Sequence, residues 1–93
     1  MARLSAHGTE IARFEKLEGA SADRDVLQRR TRYSVRSDGA IMKEYCVLFA
    51  AGPYSPQRWH SYGWKLAARP KVARPLEHLR PALLASGWRE LTA

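Results

Sequence analysis

The segment from Arg30 to Phe49 constrains the fold more than any other, because two runs rich in β-formers flank Ser37-Asp38-Gly39. Such a pattern defines a hairpin. Two registers compete. A two-residue Asp38-Gly39 turn would pair Val35 with Met42 and mix charged and apolar side chains on both faces. A three-residue loop with Gly39 in the left-handed region instead pairs Val35 with Ile41, Tyr33 with Lys43 and Thr31 with Tyr45. That register sorts the side chains. Tyr33, Val35, Ile41, Tyr45, Val47 and Phe49 share one side; Arg30, Arg32, Arg36, Met42, Glu44 and Cys46 share the other. A strand pair that buries one face needs one consistent apolar side, so the three-residue loop is preferred.

The remaining elements follow from local pattern. Ile11, Phe14 and Leu17 recur at helical spacing, but His7-Gly8 between Ala2–Ser5 and Thr9–Phe14 also reads as a hairpin turn; strand is favoured over helix for residues 4–17. Gly19 to Ala22 reads as a loop, and Asp23 to Gln28 as one short helical turn capped by Ser21 or Asp23. Two prolines and a glycine make residues 50–56 a loop. Ser61 to Ala68 alternates as a strand, with Tyr62, Trp64 and Leu66 on one side, expected to pack inward under a helix, and Gly63, Lys65 and Ala67 on the other. Arg69 to Pro75 is a proline-bounded, charged connector. Leu76, Leu79 and Leu83 then mark a helical stripe ending at Gly87, and Pro81 places the start of the regular helix near Glu77 or His78. Trp88 to Leu91 supplies a closing strand. The expected fold is α+β: a small antiparallel sheet of about four to five strands with one C-terminal helix packed on one face. Ninety-three residues suffice for one compact domain, residues 1–93, burying roughly 60 to 65% of the unfolded chain's surface.

Charge is where the sequence points to a partner. Residues 45–76 carry five basic side chains and no acidic one, while residues 1–25 carry four basic and five acidic. The acid-free stretch interleaves Arg58, Lys65, Arg69, Lys71 and Arg74 with Tyr54, Trp59, His60, Tyr62 and Trp64. Cations suit phosphates and flat rings suit bases. Arginine outnumbers lysine twelve to four, and its guanidinium makes bidentate phosphate contacts and stacks on rings. A solvated basic surface is the plainer reading of the same charges.

With Tyr62 and Trp64 assigned to the core, the contact residues expected are Tyr54, Arg58, Trp59 and His60 in one loop, Lys65 on the strand, and Arg69, Lys71 and Arg74 in the second loop. Arg30, Arg32 and Arg36 extend them as a strip on the polar side of the hairpin. Salt bridging competes there, since Arg32 lies opposite Glu44, whereas Arg29 and Arg30 have no acid nearby in sequence. His60 lacks a second histidine, cysteine or carboxylate at ligand spacing, so neither metal nor cofactor is expected. Cys46, mid-strand opposite Arg30, reads as a structural thiol. No Gly-x-Ser-x-Gly elbow, phosphate-binding glycine loop or zinc-finger spacing occurs.

The longest apolar run, Tyr45 to Ala51, is too short to span a bilayer. Arg3, His7 and Glu10 interrupt any secretory signal, and one cysteine forms no internal disulfide, so a cytoplasmic location without membrane contact is expected. Three functions are in view. The first is a non-enzymatic basic protein docking on nucleic acid or on an acidic protein surface. The second is an inhibitor or adaptor of the compact kind that phages and plasmids direct at a host protein or nucleoprotein complex, suggested by exposed aromatics and arginines. Least favoured is a metal-independent toxin-type ribonuclease using His60, Tyr62 or Lys65, for which no acid–base pair is visible.

Overall fold

The hairpin forms in the three-residue register. In the computed structural model, which describes residues 8–19 and 25–91, Val35 faces Ile41, Tyr33 faces Lys43 and Thr31 faces Tyr45. Gly39 takes φ +91°, a left-handed backbone that a side chain would strain. The Asp38 carboxylate accepts the Ala40 N–H at 3.0 Å and fixes the turn. Around this pair the elements run β1 (Glu10–Glu18), β2 (Val26–Arg36), β3 (Ile41–Phe49), β4 (Arg58–Ala68), α1 (Pro75–Ala85) and β5 (Arg89–Leu91). The sheet is antiparallel in order β4-β3-β2-β1-β5. An α+β domain with one helix on one sheet face results, as its sequence predicts.

The sheet's two faces differ, and the helix decides which is core. On one, here the helix face, Ala12, Phe14 and Val35 pack with Leu83, and Tyr33, Leu76, Leu79 and Trp88 close around them. Phe14 and Val35 are fully buried. The helix begins at Pro75 rather than at Glu77 or His78, and Pro81 lies within it. Proline at the first helical position costs no hydrogen bond, and the carbonyl that Pro81 leaves without a donor is that of Glu77, an exposed residue. Leucines on both sides of Pro81 hold the two halves to the sheet. The C-terminus is a Schellman motif: Trp88 N–H donates to Leu83 O at 3.0 Å and Gly87 N–H to Leu84 O at 3.3 Å, with Gly87 at φ +88°. Arg80 grips Glu90 of β5 through two bonds of 2.9 and 3.1 Å.

Two other expectations are corrected and one is met over the described residues. Asp23 to Gln28 is not a helical turn as a whole: Val26 to Gln28 belong to β2, and residues 20–24 lie outside the described set. The strand reading of residues 4–17 holds from Glu10 onward, while the His7-Gly8 turn and Ala2–Ser5 fall almost wholly outside the described residues. β4 starts at Arg58, three residues before Ser61, because Phe49, Leu48 and Val47 offer pairing partners to Arg58, Trp59 and His60.

The largest correction concerns Tyr62, Trp64 and Leu66, which do not share a face and do not pack under the helix. Tyr62 and Gly63 together oppose Tyr45, forming a β-bulge with Gly63 at φ +86°. One extra residue reverses the alternation. Tyr62 therefore stacks on Tyr45 on the helix face, while Trp64 and Leu66, opposite Glu44 and Met42, fall on the other. They remain 51%, 36% and 50% exposed.

Candidate nucleic-acid interface

The helix covers β1 and β2 but not β3 and β4, and the uncovered half of the helix face carries the acid-free aromatic surface. Alternation from the hairpin register sends Lys43, Tyr45, Val47 and Phe49 of β3 to this face, with Glu44 to the opposite one. β4 adds Arg58, His60, Tyr62 and Lys65. The rings form a row: Phe49 and His60 centroids lie 6.1 Å apart, His60 meets Tyr62 edge-on at 4.7 Å, and Tyr62 stacks on Tyr45 at 5.8 Å. Arg58 lies over Phe49 at 5.6 Å.

Lys43 and Lys65 stand directly opposite one another across the β3–β4 ladder. Like charges in that position destabilise a sheet. Among the described residues neither lysine has a carboxylate partner, nor does Arg58; Lys43 leans over the Tyr33 ring at 5.8 Å. Beside them Lys43, Tyr45, Tyr62, Gly63, Lys65, Leu66 and Ala67 line a shallow hollow of about 150 Å³. Because nothing approaches within 4 Å of a Cβ built on Gly63, alanine there meets no clash and only its backbone is strained. Gly63→Ala should cost about 1–2 kcal/mol, read as a urea midpoint lower by about 0.5–1 M at the usual slope for a small domain.

The opposite, open face holds the arginine strip in a different electrical state. Glu15, 8% exposed, lies at its centre; Arg89 donates to it at 2.8 Å, Arg32 at 3.4 Å, and Arg30 Nε stands 3.7 Å away. Glu44, equally buried, lies 3.7 Å from Arg32 and accepts the Ser61 hydroxyl at 2.6 Å. Salt bridging thus commits Arg30 and Arg32, and the absence of an acid near Arg29 and Arg30 in sequence is undone by β1, whose Glu15 serves Arg30 and whose Glu18 pairs at 3.1 Å with Arg29, opposite Val47 and so on the helix face. Arg36 donates to Gly8 O at 2.6 Å and Ser34 Oγ at 3.3 Å. Trp59 is a strand residue on this face, under Arg30 at 4.4 Å, and Trp64 lies under Arg13 at 5.2 Å.

The expected contact residues are therefore dispersed. Arg58, His60 and Lys65 gather on the helix face; Trp59, Arg30, Arg32 and Arg36 occupy the open one. Arg69, Lys71 and Arg74 stay on the connector, where Arg69 meets Asp38 at 3.2 Å and Arg74 meets Glu77 at 3.2 Å. A cleft of about 430 Å³ separates this connector from the hairpin turn. Tyr54 projects alone from its loop, 99% exposed. Lys43, Tyr45 and Phe49 complete the ring row without having been singled out, although the register that pairs Tyr33 with Lys43 already separates Lys43 from Glu44.

No group of three or more histidine, cysteine or carboxylate side chains suited to a metal ion occurs among the described residues. No helix among them is long and apolar enough to cross a membrane. Compared with known proteins, the chain matches no family model, no curated protein and no solved structure.

Proposed function

We propose that this protein is a non-enzymatic nucleic-acid-binding module whose contact surface is the β3–β4 half of the helix face. The observation that supports it is the cross-strand Lys43–Lys65 pair beside a row of four rings, on a half-face where β3 and β4 supply no carboxylate. A strand that brings one phosphate to each of the two lysines relieves their repulsion and gains charge-assisted hydrogen bonds. The rings offer π faces to bases. The arginines of the open face support it less, since Glu15 and Glu44 already neutralise much of their charge.

Lys43, Lys65 and Arg58 together neutralise three phosphates, so log K for a single strand should fall with log salt at a slope of about −2. Lys43→Gln with Lys65→Gln should flatten that slope to about −0.7 while leaving the circular dichroism spectrum unchanged. Fluorescence anisotropy with labelled oligonucleotides measures both. No binding at low salt, or a slope unaffected by the double variant, would overturn the reading.

A second reading, a protein-binding inhibitor or adaptor, draws on the open face, where Trp59 and Trp64 lie beneath Arg30 and Arg13. Tryptophan and arginine are the residue types enriched at interface hot spots. A stoichiometric protein partner that survives nuclease treatment and is lost in Trp64→Ala would favour it. Ribonuclease chemistry has less support: His60 is flanked by Phe49 and Tyr62, and no carboxylate among the described residues bonds to it. RNA incubated with the protein in chelator is expected to stay intact.

A further inference from the structure

We infer that the hollow beside the Gly63 bulge is a subsite for one unpaired base, so that the protein selects single strands over duplexes; this rests on the nucleic-acid reading above. The hollow is lined by Tyr62 and Tyr45, which are 51% and 39% exposed, together with Lys43 and Lys65. At about 150 Å³ it lies well below the roughly 300–1,000 Å³ of pockets that enclose a metabolite-sized ligand. It accepts one flat ring and leaves the rest of the ligand outside.

The chemistry of the walls narrows the ligand further. Tyr62 and Tyr45 stack on one another at 5.8 Å, and the stack can be extended by a further flat ring, which a base supplies only when it has left its own helical stack. A duplex keeps its bases paired and stacked, so it offers this surface phosphates alone. Lys43 and Lys65 belong to opposite strands of the β3–β4 ladder, with the Lys43 ammonium over Tyr33, so the sugar–phosphate links before and after the seated base can each meet one lysine. Cations alone would suit any polyanion; cations beside a ring-lined hollow suit a phosphodiester strand with a base turned out.

The bulge is what creates this arrangement. Under strict alternation Tyr62 and Lys65, three residues apart, would fall on opposite faces; the extra residue at Gly63 brings both to the helix face, opposite Tyr45 and Lys43. Gly63 also bears no side chain beside the hollow, and its surroundings are open.

The test compares binding of short thymidylate and uridylate strands, the corresponding duplexes, and an abasic strand of the same length, at one salt concentration. The wild-type protein is expected to bind the base-bearing single strands about tenfold more tightly than the abasic strand, the typical size of one base–aromatic contact. The thymidylate and uridylate arms distinguish DNA from RNA as the source of the strand. Tyr62→Leu should bring affinity down to the abasic level with an unchanged salt slope, and Tyr62→Phe, which keeps the ring, should retain the preference. Tyr62 is half exposed on an edge strand, and circular dichroism verifies that both variants fold. Equal affinity for abasic, duplex and base-bearing strands, with a steep salt slope, would overturn the base subsite and leave the general reading standing. Failure to bind any of these polyanions at low salt would remove both.

Discussion

Phe14→Ala is expected to destabilise the domain by about 3–5 kcal/mol, the usual cost of deleting a buried aromatic ring. Phe14 is fully buried where β1, β2 and the helix meet, in a core closed by Leu76, Leu79 and Leu83 of one 11-residue helix together with Tyr33 and Trp88. A domain of this size has about 5–15 kcal/mol in total, so the variant approaches the limit of folding. The core is small, and Val35, Leu83, Leu79 and Trp88 are among the few side chains that could close over the space. Urea denaturation followed by far-ultraviolet circular dichroism measures the effect. A loss below about 1 kcal/mol, far under the range for ring deletion, would show that the helix is not what anchors the sheet.

Glu15→Gln is expected to cost about 3 kcal/mol, the low end for removing one partner of a buried ion pair. Its carboxylate is the shared acceptor for Arg32 and Arg89 and lies beside Arg30. Arg30 and Arg32 have side chains only 18% and 22% exposed, so water replaces little of what they lose, and each then repels the other across a neutral amide. Arg89, 70% exposed, rehydrates and contributes least. Because the damage lies on the open face, any binding by the helix face should persist in the fraction that stays folded, which anisotropy titration in stabilising osmolyte can establish. A variant as stable as the wild type would mean that the arginines find their counter-charge in Glu44 alone.

What could be read from the residues was the part governed by local pairing. The hairpin register followed from requiring one apolar side, and it carried the placement of Tyr45, Cys46 and Arg32 with it. The helix, its glycine stop and the closing strand followed from leucine spacing and Gly87. β4 escaped because its pairing is decided by β3: alternation read from Ser61 onward knows nothing of an extra residue at Gly63, and that residue decides which rings face which way. The charge argument failed in the same manner at Arg29 and Arg30, whose acids come from β1, and at Lys43, which sits beside Glu44 in the chain yet on the other side of the sheet. Proximity in sequence counts charges; the sheet sorts them by face.

The bulge at Gly63 bears on whether copies of this protein stick to one another. β4 is an 11-residue edge strand whose residues are all exposed, the kind of edge that can recruit another strand and grow into aggregates. A second β4 laid antiparallel along its full length would set His60 against Leu66 and Tyr62 against Trp64, pairs whose side chains lie on contrary sides of the sheet. A parallel, in-register stack would instead place Arg58 on Arg58 and Lys65 on Lys65. Both arrangements are thus penalised, and the bulge and the like charges act against in-register growth from the edge that carries the aromatic row.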